Sequence, residues 1–173
     1  DDLREVTLAL GAEMLVLGAI EADVDSARNA LQRLWEDGVV RQVFCDNLAL
    51  QGGDPRVVDH PDLLPRAPHV LVVEAQRDGF VDDVDPLALG HLVVDLGGGR
   101  RQAHDVIDPS VGVVLEKVLG DSVDRGEPLA VVHAATAADA EGAAERVRAA
   151  FTVGEERRRR RPPLRSRPVA YRA

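Results

Sequence analysis

The sequence predicts an α+β fold. Three observations carry it. Apolar residues recur at helical spacing over residues 3–50, four prolines crowd residues 51–68, and β-branched runs between turn residues dominate from residue 69 onward. The chain has 173 residues, 45% apolar and 29% charged. Those fractions are ordinary for globular proteins and exclude collagen, wholesale disorder and a disulfide scaffold. One or two compact domains fit the length. Cys45 is the single cysteine, so no internal disulfide is possible and a cytoplasmic setting is expected. No apolar stretch approaches the roughly 18–20 residues that a membrane span needs.

The first segment reads as three helices. Leu3, Val6, Leu10, Met14 and Leu17 recur at helical spacing, and Leu8, Leu15 and Val16 fill the other faces. Such a helix is apolar nearly all round and is expected to be buried. It starts at residue 3, with no methionine before it, which predicts the back end of something longer. Asp25 is the expected N-cap of the second helix, whose face carries Ala27, Leu31, Leu34 and Trp35 and which stops at Gly38. Val40, Val43, Phe44 and Leu48 mark the third, ended by Gly52-Gly53. Cys45 is expected there as a buried, inert thiol. Pro55, Pro61, Pro65 and Pro68 then mark a connector.

Val70 to Val73 reads as a strand, and Asp78-Gly79 turns the chain into a second strand around Phe80-Val81. Asp85-Pro86 is a helix start, a capping aspartate with proline at the first helical position. Leu89, Leu92, Val93 and Leu96 form its apolar stripe, and Gly97 lies at its C-terminal end. A loop follows through Asp105. Strand character returns at Val111–Leu115 and continues to Val118. Gly120-Asp121 and Arg125–Pro128 bracket a tight turn, and Leu129–His133 is the returning strand. A last helix is expected from Ala137 to Phe151, with Thr136 and Asp139 as start signals and Ala140, Ala143, Ala144, Val147 and Phe151 on one face.

Charge is unevenly placed. The formal net charge is −9. Residues 154–173 hold eight arginines against two glutamates, net +6, which leaves −15 on the rest. An acidic body repels phosphodiester backbones, so nucleic-acid binding is not expected of it. The Arg157–Arg161 run is the one stretch able to seek RNA or an acidic surface; the plainer reading is a solvated tail leaning on the acidic body.

No residue set spells out catalysis. Gly97-Gly98-Gly99 follows a helix and leads toward a strand, the reverse of a phosphate cradle, and reads as a helix end plus loop. Arg100 and Arg101 keep an anion-contacting role open there. Asp78, Asp82, Asp83 and Asp85 lack the register of a calcium loop and read as turn and capping residues. His60, His69, His91, His104 and His133 show no metal-binding spacing, and no metal is expected. His104 alone shares the glycine-rich loop. There is no G-x-S-x-G and no nucleophile–base pair. No catalytic residue is therefore assigned in this chain. The candidate site is the loop of Gly97, Gly98, Gly99, Arg100, Arg101 and His104.

Two resemblances stand out. Gly120-Asp121-Ser122-Val123-Asp124-Arg125-Gly126-Glu127-Pro128-Leu129 resembles the hairpin of biotinyl and lipoyl domains, and Val72–Val81 the opening strand pair of hammerhead-type folds. The single lysine, Lys117, lies within the expected Val111–Val118 strand and not at a hairpin tip, so the likeness speaks to fold and not to cofactor carriage. Val6–Leu15, the Ala49-Leu50-Gln51-Gly52-Gly53-Asp54 helix end, Ala88-Leu89-Gly90, Gly97–Arg101 and Asp105-Val106-Ile107-Asp108-Pro109-Ser110-Val111-Gly112 follow one another as in the pyrimidine nucleoside phosphorylase family, in its thymidine phosphorylase branch. The closing Val169-Ala170-Tyr171-Arg172 fits as well. The chain resembles the C-terminal portion of that family over almost its whole length.

The resemblance implies a division of the chain. Residues 1–53 would be helices closing a large α/β domain, 54–68 a Pro-rich connector, 69–153 a hammerhead-like C-terminal domain, and 154–173 an Arg-rich tail. It implies a pentosyltransferase, converting thymidine and phosphate to thymine and 2-deoxyribose 1-phosphate, with phosphate as co-substrate and no cofactor. It implies a cytoplasmic homodimer acting in nucleoside salvage. The family's phosphate- and base-binding motifs match no residue here, so the chain alone is expected to be inactive. Left open are a non-enzymatic hammerhead-fold binding or assembly module, and a biotinyl/lipoyl-like domain lacking its carrier lysine.

Overall fold

The structure, a computed structural model, describes residues 2–157. The expectations for the tail beyond Arg157 lie outside the described residues. The described chain divides into two compact units between Pro61 and Asp62.

The first unit holds α1 (Asp2–Leu17), α2 (Val24–Glu36) and α3 (Val39–Leu50). Asp23, not Asp25, caps α2: it is extended, and its carboxylate accepts from the Ser26 N–H at 2.8 Å. Both aspartates suit a cap by composition. The chain direction at Asp23 decides between them, and Asp25 falls in the first turn instead. Leu8 and Ala12 of α1 and Ala27 of α2 are buried. The expectation of a buried first helix is corrected: Leu3, Met14 and Leu17 are all more than two-thirds exposed. Cys45 is half-buried rather than buried. The Pro-rich connector has local structure. It forms single 3₁₀ turns at Pro55–Val58 and Pro61–Leu63, the first capped by Asp54 through the Arg56 N–H at 3.0 Å.

The second unit holds β1 (His69–Glu74), β2 (Gly79–Val84), α4 (Pro86–Val93), β3 (Gly112–Leu115), β4 (Ser122–Val123), β5 (Pro128–Ala134), α5 (Ala137–Ala150) and β6 (Phe151–Gly154). Two antiparallel three-stranded sheets form, in the orders β1-β5-β3 and β4-β2-β6. The fold is α+β. The expected strand pair β1/β2 and the Gly120–Leu129 hairpin take a different form: consecutive strands enter different sheets. β1 pairs with β5, Leu71 opposite Val132, and β2 pairs with β6, Val81 opposite Val153. The two crossing turns are zipped together instead. Ala75 N–H donates to the Glu127 carbonyl and Gly126 N–H to the Ala75 carbonyl, both at 2.9 Å.

Between the sheets and α4 and α5 lies the core. Val73 and Val132 come from one sheet, Val81, Val123 and Val153 from the other, and Leu92 from α4. From α5 come Ala140, Ala143, Ala144 and Val147. Among the described residues, valine is the largest wholly removed from solvent. An alanine face needs no room for long side chains, so α5 lies close on the strands. Thr136 caps α5, accepting from Asp139 N–H at 3.1 Å, and Asp85 caps α4 through Leu87 and Ala88 N–H at 3.0 Å. Phe151 does not continue α5. It opens β6 opposite Val84, a strand that its apolar helical spacing concealed.

Candidate functional site

The loop after α4 is built from its glycines. Past Val93 the helix widens into one π turn, Val94–Gly98. Gly97 ends it at φ +96°, a left-handed conformation that a side chain disfavours. Gly98 meets a different limit: a Cβ there would lie 2.9 Å from Val93 Cγ1 and 3.2 Å from the Val111 carbonyl oxygen. The first glycine turns the chain; the second lets it pass beside the segment entering β3.

Carboxylates hold the remainder. Asp105 Oδ2 accepts from the N–H groups of Arg101 and Gln102, each at 2.9 Å. Asp108 N–H donates to the Gly97 carbonyl at 2.9 Å, closing the base of the loop. Asp108 Oδ1 in turn accepts from Ser110 N–H and Oγ–H at 2.9 and 2.6 Å. The Ser110 hydroxyl and N–H hold the Asp108 carboxyl below the usual range. Asp95, in the π turn, accepts from the Arg101 guanidinium and from Arg146 of α5, the latter at 2.8 Å. Those two guanidiniums, Arg101 first, keep the Asp95 carboxyl ionised below its ordinary range.

The six residues of the candidate site thus lie on one loop but play unequal parts. Gly97 and Gly98 shape it, Gly99 continues it, and Arg101 is tied down by Asp95. Arg100 and His104 are exposed, and Arg100 has no ion-pair partner among the described residues. No local sequence signal marks Asp95 and Arg146 as site residues, since the contact spans 51 positions. Among the described residues, no three His, Cys, Asp or Glu side chains are grouped to hold a metal. The loop can offer donors to an anion, through Arg100 and His104; it contains no nucleophile paired with a base. A separate concavity of about 610 Å³, lined by Arg66, Pro109, Ser110, Val113 and His133 among others, includes none of the six.

With two three-stranded antiparallel sheets, an alanine-faced helix and a glycine-built loop, the second unit is an α+β domain. Residues 80–154 match the pyrimidine nucleoside phosphorylase C-terminal domain. The chain is 41% identical over 154 residues to a thymidine phosphorylase of Burkholderia cenocepacia, covering 88% of this chain and 35% of that protein. It is 38% identical over 133 residues to a pyrimidine-nucleoside phosphorylase of Geobacillus stearothermophilus, covering 77% of this chain and 31% of that protein. The chain is a C-terminal portion of the pyrimidine nucleoside phosphorylase family, and it spans about a third of the length of these relatives.

Proposed function

We propose that the chain serves a thymidine phosphorylase as its C-terminal portion. The reaction is phosphorolysis: phosphate attacks the anomeric carbon of thymidine, thymine departs, and 2-deoxyribose 1-phosphate forms. The bond from sugar to base breaks as the bond to phosphate oxygen forms, through a state with oxocarbenium character. Catalysis of this kind rests on positioning and on stabilising charge on phosphate and base. The single observation that carries the reading is the 41% identity to a thymidine phosphorylase over 88% of this chain.

In this reading the phosphate- and base-binding groups are supplied by sequence outside these residues, and the chain alone is inactive. The Gly97–Asp105 loop borders the substrate cleft and responds to its closure, with Arg100 facing the cleft. The assembled enzyme is a cytoplasmic homodimer that needs no cofactor.

A chimera tests this. The 173 residues replace the corresponding portion of the Burkholderia relative, and thymine release from thymidine and phosphate is measured. The chimera is expected to turn over and the chain alone not to; activity of the chain alone overturns the division of labour. Arg100→Ala and Gly98→Pro in the chimera are expected to lower kcat/KM. Unchanged kcat and KM remove the loop from the mechanism.

A further inference from the structure

Two concavities of the second unit, about 450 and 530 Å³, share Glu74, Gln76 and Arg148 and form one groove. Three arginines line it from three separate places in the chain. Arg77 comes from the turn after β1, Arg125 from the turn before β5, and Arg148 from the last turn of α5. None of the three has an ion-pair partner among the described residues. This is unexpected in the second unit, where residues 62–153 carry 16 carboxylates against eight basic side chains. Arg101, Arg146 and Lys117 of the same unit each hold one. Glu74 is the sole carboxylate among the groove's lining residues and Asp78 adjoins the Arg125 backbone, so three guanidiniums meet two carboxylates.

The groove is held in shape before any ligand arrives. Its two turns are joined by the Ala75–Glu127 and Gly126–Ala75 backbone bonds, and Arg125 N–H donates to Asp78 Oδ1 at 2.7 Å. One wall is apolar, formed by the outer edges of the core residues Leu129, Phe151 and Val153, each less than a tenth exposed. Repulsion from the acidic body fades beyond a screening length of about 8 Å at physiological salt, so the local guanidiniums decide what enters. Guanidinium forks match the oxygens of a phosphoryl group, and the apolar wall suits a small organic body. The size lies within the range of small-molecule pockets, roughly 300–1,000 Å³.

We propose that this groove binds a small organic phosphate monoester, its phosphoryl group among Arg77, Arg125 and Arg148 and its body on Leu129, Phe151 and Val153. The site is distinct from the Gly97–Asp105 loop and does not depend on the phosphorylase reading.

The test is an amide NMR titration of the full chain at fixed ionic strength, with phenyl phosphate as the probe and inorganic phosphate beside it. Phenyl phosphate is expected to give saturable shifts at Gln76, Arg77, Arg125, Gly126 and Thr152, and to bind more tightly than inorganic phosphate. The Arg125→Ala/Arg148→Ala double variant is expected to weaken binding at least about tenfold, the loss of a charged hydrogen bond or more. Arg77→Gln, on an exposed turn, is a second variant whose unchanged spectrum elsewhere reports an intact fold, and it too is expected to bind more weakly. Shifts that do not saturate, shifts confined to Arg100–His104, or variants that bind as well as the parent overturn the proposal.

Discussion

Arg146 on α5 donates from Nη1 to Oδ2 of Asp95 at 2.8 Å, joining positions 51 residues apart. The other oxygen of that carboxylate holds Arg101. A loop closed at its base by Asp108 and braced within by Asp105 is thereby also tethered to the helix that roofs the core. Asp95→Asn keeps the shape and removes the charge, leaving two guanidiniums without their anion. Tryptic cleavage after Arg100 and Arg101 is expected to become several-fold faster in the variant, followed by mass spectrometry against cleavage after Arg125 as an internal clock. Equal rates would show that the tether restrains nothing. The Asp95 carboxyl is depressed in the folded state, so the tether is intact above the ordinary aspartate value of about 3.9 and is lost as pH falls through the lower folded value.

Two glycines are expected to respond in opposite directions to the same substitution. Gly79 sits at φ +152°, and a Cβ there would lie 2.3 Å from the Gly154 carbonyl oxygen. Gly142 is inside α5, exposed, with nothing within 4 Å of a Cβ. Gly79→Ala should destabilise by more than about 1 kcal/mol, because neither backbone can yield cheaply. Gly142→Ala should stabilise by roughly 0.5–1 kcal/mol. Urea midpoints followed by circular dichroism measure both; a stable Gly79→Ala protein would contradict the close approach of β2 and β6.

Lys117 gives the second unit a pH signature. Its ammonium donates to Glu127 Oε1 at 2.6 Å and to the Ser122 carbonyl at 3.0 Å. The Lys117 bond first, then the Asp124 N–H, hold the Glu127 carboxyl below its usual range. Folding therefore gains from this contact above the unfolded value of about 4.3, and the gain disappears as pH falls through the depressed folded value. Lys117→Met is expected to flatten the fall of Tm between neutral pH and acid. A parallel displaced curve, with the same slope, would assign Lys117 no part in it.

Asp85 accepts from two backbone N–H groups, at Leu87 and Ala88. Asp85→Ala leaves both without that partner and should cost about 1 kcal/mol, read as a lower urea midpoint with the same m value. Asp85→Asn, which keeps an acceptor oxygen, should restore most of it.

The caps at Asp85 and Thr136 could be read from the sequence because each acts within three residues. So could the Gly97 helix end, since positive φ after an apolar stripe is a local demand. The Asp95–Arg146 contact could not, because nothing local pairs an aspartate with an arginine 51 positions on. β4 is two residues long and carries no period to detect, and Phe151 keeps helical spacing with Val147 while belonging to a strand. For α1, hydrophobicity on every face spoke for burial, yet these residues bury only Leu8 and Ala12 of that helix. Of the candidate loop, then, the glycines were legible and the electrostatic tether was not.

The exchange of strands between the two sheets has a mechanical corollary. A cut between Arg100 and Arg101 would leave β1, β2 and α4 on one fragment, and β3 through β6 with α5 on the other. The β1–β5, β2–β4 and β2–β6 ladders all cross that cut. Neither fragment owns a finished sheet, so each is the other's template. The severed protein should run as one species on a native gel and as two under denaturation, a split protein that reassembles from its halves.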